Sequence, residues 1–102
     1  MNELNLAARV ARKDATLVEI DRNSARVRHS GALKLGGEVP LSFVAKGEVF
    51  SALTHVLSCR VVGLGLGEAG STLFESKLAF DDDRAREAVE RVMGAVGAAH
   101  TA

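Results

Sequence analysis

The stretch Ser71-Thr-Leu-Phe-Glu-Ser-Lys-Leu-Ala-Phe80 decides between two folds for this chain. It follows Gly65, Gly67 and Gly70, which spell Gly-x-Gly-x-x-Gly behind an apolar, β-branched run. A dinucleotide-binding turn needs a helix directly after such glycines, because helix N–H groups hold the pyrophosphate. Residues 71–80 instead alternate polar and apolar side chains, which is typical of a strand. We therefore interpret the glycines as the loop of a β-hairpin.

The same residues argue against a phosphate-binding loop. In that motif a lysine follows the last glycine, whereas Gly70 is followed by Ser71. Glu68 also lies within the run, where its negative charge would repel a phosphate group. The glycine run therefore predicts no nucleotide chemistry of its own.

Period-two alternation also governs the chain before this stretch. The six predicted strands cover about residues 2–10, 16–20, 25–28, 38–46, 51–62 and 72–80. On the longest strand we expect an inner face formed by Leu53, His55, Leu57, Cys59 and Val61. On the last strand the expected inner face is Phe74, Ser76, Leu78 and Phe80.

The pattern changes from strand to helix after Phe80. Asp81-Asp-Asp83 can cap a helix and places negative charge at the positive end of its dipole. Apolar residues then recur at helical spacing, at Ala85, Val89, Val92, Met93 and Val96. We predict a helix over about residues 82–97.

Six consecutive strands followed by one helix do not form a βαβ array. We predict a mainly β fold in a single domain that spans residues 1–102, a length that suits one domain. A six-stranded antiparallel β-barrel occupies about residues 2–80, and the C-terminal α-helix covers one of its openings.

Composition limits the classes of partner. The 13 Lys and Arg residues are balanced by 13 Asp and Glu residues, whereas nucleic-acid-binding proteins usually carry a basic excess. The chain has no secretory signal pattern and no apolar run near the ~20 residues that span a bilayer. Its one cysteine, Cys59, suits a reducing compartment. We expect a cytoplasmic protein with no nucleic-acid partner and no membrane insertion.

Reactive side chains are few and scattered. His29, His55 and His100 have no metal-ligand spacing with one another or with cysteine and carboxylates. Cys59 is expected to be a packed thiol on an apolar face. No catalytic pair or metal set is recognisable. We therefore predict that the protein is not an enzyme and holds no metal or resident cofactor.

Arg26 and Arg28 are the polar residues that most suggest binding. They lie two positions apart on a predicted strand and project from the same face, where two guanidinium groups can hold an anion. The alternative is that both belong to a solvated face of the barrel. The residues alone leave both interpretations open.

Four stretches of the chain resemble motifs of the PilZ domain family. Val18-Glu-Ile-Asp-Arg-Asn-Ser-Ala-Arg-Val27 looks like the strand–turn–strand of that family. Leu35-Gly-Gly-Glu-Val-Pro-Leu-Ser-Phe43 looks like its glycine–acidic strand entry. Leu57-Ser-Cys-Arg-Val-Val62 and Leu78-Ala-Phe-Asp81 resemble two later strands, of which the second ends at the last helix. The resemblance covers nearly the whole chain.

The resemblance implies a six-stranded antiparallel barrel with a C-terminal helix. Many PilZ domains bind cyclic di-GMP, a bacterial second messenger, through an Arg-x-x-x-Arg loop before the first strand and an Asp-x-Ser-x-x-Gly turn. Here Glu19, Asp21 and Ser24 stand where the turn has Asp or Asn, Ser and Gly. The first predicted strand begins too early to leave room for the arginine loop. Two lost arginines would remove ~3–6 kcal/mol from a micromolar site worth ~8 kcal/mol.

The resemblance therefore implies a non-enzymatic bacterial regulatory or adaptor module with cyclic di-GMP binding lost. It would act through contacts with a cytoplasmic protein in motility or other cyclic di-GMP-related signalling, and a homo-oligomer is compatible with the sequence. The expected partner face, or residual ligand face, is Glu19, Asp21, Ser24, Arg26, Arg28 and His29. The alternative is a cyclic di-GMP receptor with an atypical site on the same face.

Overall fold

A computed structural model describes residues 4–45, 47–65, 70–81 and 83–100, with side chains in the helix described as far as Arg91. The chain forms six strands and then one helix. In chain order they are β1 (Leu6–Val10), β2 (Lys13–Ile20), β3 (Ser24–Ser30), β4 (Glu38–Ala45), β5 (Glu48–Gly63), β6 (Leu73–Phe80) and α1 (Asp83–His100).

The strands close into a barrel in the order β1-β2-β3-β6-β5-β4, and each neighbouring pair is antiparallel. Closure is made by β1 and β4, where Ala8 lies opposite Phe43. β6 lies between β3 and β5, so it pairs both with the strand next to it in sequence and with one far from it. The predicted antiparallel barrel with a C-terminal helix is confirmed.

Alternation sets the buried face of β6, as predicted, and it also sets that of β4. On β6, Ser76, Leu78 and Phe80 are buried and Phe74 is half-buried. On β4 the buried side chains are Val39, Leu41, Phe43 and Ala45. Phe50 of β5 joins the two sides of this core, because its ring lies 4.9 Å from that of Phe43 and 5.6 Å from that of Phe80.

The predicted inner face of the longest strand was wrong except at Cys59. Phe50, Thr54 and Val56 point into the barrel, whereas Leu53 and Leu57 are half exposed. A shift of one residue in the assumed face reverses every side chain, since the period of a strand is two. The register with β6 then shifts between Val56 and Ser58. After this bulge Cys59 packs against the core as expected, whereas Val61, which we also expected on the inner face, is 52% exposed.

The connection between β1 and β2 is a tight turn made by two residues that are not glycine. Ala11 and Arg12 both have positive φ, of 53° and 69°. Two consecutive positive φ angles are characteristic of the type I′ hairpin turn, which prefers Asn-Gly. The side chain of Arg9 partly offsets the cost of these φ angles, since its Nη2 donates a hydrogen bond to the carbonyl oxygen of Arg12 at 2.6 Å.

The helix covers one end of the barrel, as predicted. Ala85 and Val89 are buried in the core. Arg22 in the β2–β3 turn binds Glu90 at 3.0 Å, and Arg91 binds Glu48 at the start of β5 at 3.2 Å. Helix α1 therefore lies across the end of the barrel at which these two strand connections meet.

Some predictions about the helix fall outside the described part of the chain. They are the helix start at Asp82 and the side chains of Val92, Met93 and Val96. The helix continues to His100 rather than ending near residue 97. Among the described residues, no helix combines the length and the apolar character needed to cross a membrane.

Candidate functional site

Three arginines converge on one glutamate on the outer surface of the barrel. Glu75 points outward from β6, and strand pairing places Arg28 of β3 and Arg60 of β5 directly opposite it. Arg28 Nε donates to Glu75 Oε1 at 3.2 Å, and Arg60 Nη2 donates to Oε2 at 3.1 Å. Arg26, two residues along β3 on the same face, donates from Nη1 to Oε2 at 3.2 Å. We call Arg26, Arg28, Arg60 and Glu75 the Glu75 cluster.

The glutamate at the centre of this cluster is well shielded from solvent. Its side chain is only 4% exposed, because the arginine side chains cover it. Burial raises the pKa of Glu75, but the hydrogen bonds from Arg60 and Arg28, together with Arg26, outweigh burial and hold the pKa below its usual value. Glu75 is therefore ionised, and it supplies the anion to which these arginines are bound.

Arg26 connects this cluster to Glu19 on the neighbouring strand. Its Nη2 lies 3.4 Å from Oε1 of Glu19, whose side chain is 67% exposed. Within the described residues, the buried Nε of Arg26 has no hydrogen-bond partner. Arg26 and Arg28 do share one face, as predicted, but both hold a carboxylate of the protein itself.

The β2–β3 turn is organised by Asp21. Its Oδ1 accepts hydrogen bonds from the backbone N–H groups of Asn23 at 2.8 Å and Ser24 at 2.9 Å. This is an Asx-type turn, in which the side chain replaces a backbone acceptor. Ser24 is buried and begins β3, and it is not among the described residues with positive φ. The turn therefore needs no glycine at this position.

A small pocket lies between this turn and Arg26. Its volume is about 90 Å³, and it is lined by Glu19, Asp21, Ser24, Ala25, Arg26 and Lys77. Sites for small-molecule ligands usually enclose ~300–1,000 Å³. Two carboxylates face two cations here, so the pocket offers little net attraction to a dianion.

His29 is separated from the other predicted site residues. It points into the barrel, where it is buried, whereas Arg26 and Arg28 point outward. Its Nδ1 lies 2.9 Å from the carbonyl oxygen of Gly31, which can only accept, so Nδ1 carries the hydrogen. Its Nε2 then accepts the hydroxyl of Ser76 at 2.7 Å. Burial lowers the pKa of His29 by more than backbone hydrogen bonds raise it, so the ring is neutral near pH 7.

The other candidates from the sequence, His55 and Cys59, make contacts within the barrel. His55 lies half exposed beside Asp81, to which its Nδ1 is hydrogen-bonded, and not on the inner face where we expected it. Cys59 is a half-buried free thiol that accepts the N–H of Leu33 at 3.5 Å. Within the described ranges, no three His, Cys, Asp or Glu side chains are grouped so that they could hold a metal ion.

The glycine run joins two strands. β5 ends at Gly63 and the next element is β6, which starts at Leu73, so no helix follows the glycines. Gly67 and Glu68 lie outside the described residues, as does the side chain of His100. The interpretation of the run as a hairpin loop agrees with the two flanking strands.

Sequence reasoning did not identify Glu75 or Arg60 as site residues. The available signal was alternation, because an inward Phe74 and Ser76 require an outward Glu75. Its pairing with Arg28 could not be read in the same way, since β3 and β6 are far apart in the chain.

Comparison with known proteins identifies no relative of this chain. No family model matches the chain, and neither the curated proteins nor the solved structures contain a match.

Proposed function

We propose that this chain is a non-enzymatic regulatory adaptor of the PilZ type. It acts in the bacterial cytoplasm through contacts with another protein and does not bind cyclic di-GMP tightly. The family part of this proposal rests on the four sequence stretches that resemble PilZ motifs. The barrel with its C-terminal helix is compatible with that resemblance.

The observation that carries the proposal is the occupation of the arginines by Glu75. An incoming phosphate would have to displace a carboxylate that is already held at 3.1–3.2 Å by three guanidinium groups. That carboxylate belongs to the same chain, so its attachment costs no further translational entropy. The Glu75 cluster therefore favours a structural role for these arginines over phosphate capture.

The turn beside the cluster supports the same proposal. Asp21 uses its carboxylate to hold the turn backbone, and it adds negative charge where a nucleotide phosphate would approach. Glu19 adds a second carboxylate to the same pocket. A module that has replaced ligand contacts with internal ones is expected to signal through a protein surface. Motility and related signalling systems are the partners that the resemblance suggests.

One observation favours the second candidate, a cyclic di-GMP receptor with an atypical site. Arg26 and Lys77 both line the turn pocket, and Arg26 has an Nε that no described group accepts. Movement of Glu19 away from Arg26 would leave these two cations available to a phosphate group.

Titration calorimetry with cyclic di-GMP at moderate salt separates the two candidates. The adaptor proposal expects no heat of binding up to millimolar ligand. Micromolar binding by the wild-type chain that is lost in Arg26→Ala would overturn it and place the ligand in the turn pocket. Glu19→Gln is the matched variant, because removing this charge should strengthen binding only if the receptor candidate is correct.

A pull-down from the native host tests the adaptor role directly. The expected result is one cytoplasmic partner that the wild-type chain retains reproducibly. Arg28→Gln, with a circular dichroism spectrum to check its fold, tests whether the predicted partner face takes part. The contribution of that face stays a prediction until this comparison is made.

A further inference from the structure

Strand β5 is longer than either strand beside it. Its first six residues, 48–53, pair with β4, but its pairing with β6 begins only at Thr54. In the described chain, no other strand and no turn hydrogen-bonds to the backbone of residues 48–53. The barrel is closed elsewhere, so this stretch is an open strand edge on the β6 side.

Backbone direction shows which residues face this open edge. The N–H of Val56 bonds toward the β4 side, where it reaches the carbonyl oxygen of Gly37 at 3.0 Å. The β4–β5 register runs without a shift down to Glu48, and backbone groups of alternate residues point to opposite edges. The N–H and C=O groups directed to the open edge are therefore those of Val49, Ser51 and Leu53.

Helix α1 runs beside this edge and leaves a cleft. The cleft has a volume of about 460 Å³, larger than the turn pocket and within the ~300–1,000 Å³ of ligand sites. Ser51 and Leu53 line it from the strand, and Arg84, Ala88 and Arg91 line it from the helix. Two of the three edge residues, Ser51 and Leu53, therefore border the cleft, whereas Val49 lies outside its lining.

The groove has side chains of defined chemistry. Val49 and Leu53 of the same strand segment are 68% and 49% exposed, so apolar contacts are available along the edge. Arg84, Arg91 and Glu87 border the cleft, and their charges cancel once Glu48, the ion-pair partner of Arg91, is included. Arg91 is held by Glu48, whereas Arg84 has no carboxylate partner among the described residues.

We propose that the groove between β5 and α1 binds an extended acidic segment of a partner protein as an added β-strand. The segment pairs through its backbone with Val49, Ser51 and Leu53, and a carboxylate on it binds Arg84. Strand addition to an open edge is a general mode of peptide recognition, in which the main chain supplies affinity and alternate side chains supply specificity. This inference rests on the proposed adaptor function, because it identifies where and how the partner is held.

A thin peptide suits this groove better than a second copy of the chain. The same edge in another copy has its own α1 beside it, and a helix with side chains is ~10 Å across. Two such edges could not approach to the ~4.8 Å spacing of paired strands without moving both helices. The guanidinium of Arg84, which has no carboxylate partner among the described residues, favours a segment that places a carboxylate beside it.

The test uses a phage-displayed library of random 12-residue peptides on the purified chain. Enriched peptides should combine alternating apolar residues with Asp or Glu, and one is synthesised for affinity measurement. Ser51→Pro removes one edge N–H without removing an internal hydrogen bond, so the affinity should fall at least ~10-fold. Ser51→Ala keeps that N–H and should change the affinity less than ~2-fold.

Two further comparisons keep the result interpretable if Ser51→Pro does not fold. Methylation of alternate backbone nitrogens in the peptide should abolish binding to the wild-type chain when the methylated set faces β5. Arg84→Glu should weaken binding, whereas Arg12→Glu, which makes the same charge change in the β1–β2 turn, should not.

Equal affinity for wild type and a folded Ser51→Pro, or no enriched peptide, would overturn the inference. A dimer that Ser51→Pro dissociates would also overturn it, in favour of a second copy as the occupant. The proposed function fails separately, by micromolar binding of cyclic di-GMP in calorimetry. If peptides bind wild type and Ser51→Pro equally well, and calorimetry shows no binding of cyclic di-GMP, the groove proposal fails and the proposed function stands.

Discussion

Glu75 lies directly across the β3–β6 pair from Arg28, and Arg28 Nε donates to Glu75 Oε1 at 3.2 Å. The same carboxylate receives Arg60 from β5 on its other side. The Glu75 cluster thus ties together three neighbouring strands on the outside of the barrel. Its consequences for stability can be measured without knowledge of a ligand or a partner.

Glu75→Gln should lower the free energy of unfolding by ~1–3 kcal/mol. A neutral amide removes the carboxylate charge that three adjacent guanidinium groups share, although Arg26 keeps its contact with Glu19. The partial exposure of the arginines keeps the loss below the ~3–5 kcal/mol typical of a fully buried pair. Urea denaturation measures the effect. Glu19→Gln is the control, since this exposed partner of Arg26 should contribute less than ~1 kcal/mol, and equal losses would contradict the central role of Glu75.

Glu75 should also make the protein sensitive to acid. Its pKa in the folded state is depressed below the unfolded value near 4.5, so its stabilising contribution is present above that pH. The contribution is lost as pH falls from about 4.5 through the folded pKa. Urea midpoints between pH 6 and pH 3 should fall less steeply in Glu75→Gln than in wild type. Parallel curves would show that another group controls acid unfolding.

His29 should also lower the stability as pH falls, but in a higher pH range than Glu75 does. Its folded pKa is lowered from 6.5 by burial, so the unfolded state binds a proton first as pH falls. The contribution of neutral His29 to the free energy of unfolding is therefore fully present above about pH 6.5 and declines below it. NMR titration should give His29 a pKa below that of an exposed histidine. His29→Gln should flatten the stability profile between pH 7 and pH 5, and an unchanged slope would exclude His29 as its source.

Replacing Ala11-Arg12 by Asn-Gly should stabilise the barrel. Both positions have positive φ, which costs L-residues roughly 1–2 kcal/mol each and costs glycine much less. We expect a net gain of ~1 kcal/mol after loss of the Arg12 side chain, or ~4–8 °C in Tm for a domain of this size. Differential scanning calorimetry measures the change. Placing Asn-Gly at Arg22-Asn23, which lacks this geometry, should give no such gain.

Hydrogen exchange should alternate along the start of β5. The amides of Val49, Ser51 and Leu53 face the open edge and should exchange rapidly in the isolated chain. Those of Phe50, Ala52 and Thr54 bond to β4 and should be protected. Amide-resolved NMR exchange distinguishes the two sets. Uniform protection across residues 49–54 would mean that the edge is already covered in solution.

Local pattern was sufficient for much of the fold. Alternation from Thr72 to Phe80, followed by Asp83 and a helical apolar stripe, separates a barrel with a terminal helix from a dinucleotide fold. The backbone-binding role of Asp21 was also readable, because an Asx turn involves only neighbouring residues. The inner face of β5 could not be predicted, since Leu53 and Thr54 each begin a plausible alternation and the register shift after Val56 interrupts it.

The amino-acid sequence by itself determined the elements of this protein: six alternating strands, a C-terminal helix and a glycine run between two strands. Tertiary structure alone decided which residues of different elements meet and which edge stays unpaired. It brought Arg28 and Arg60 to Glu75, turned His29 inward and left one edge of β5 open beside α1. The physical reason is the separation in sequence of the interacting residues, because alternation and helix caps depend on residues only a few positions apart. Ion pairs and strand edges depend on the register of strands that meet only when the barrel closes.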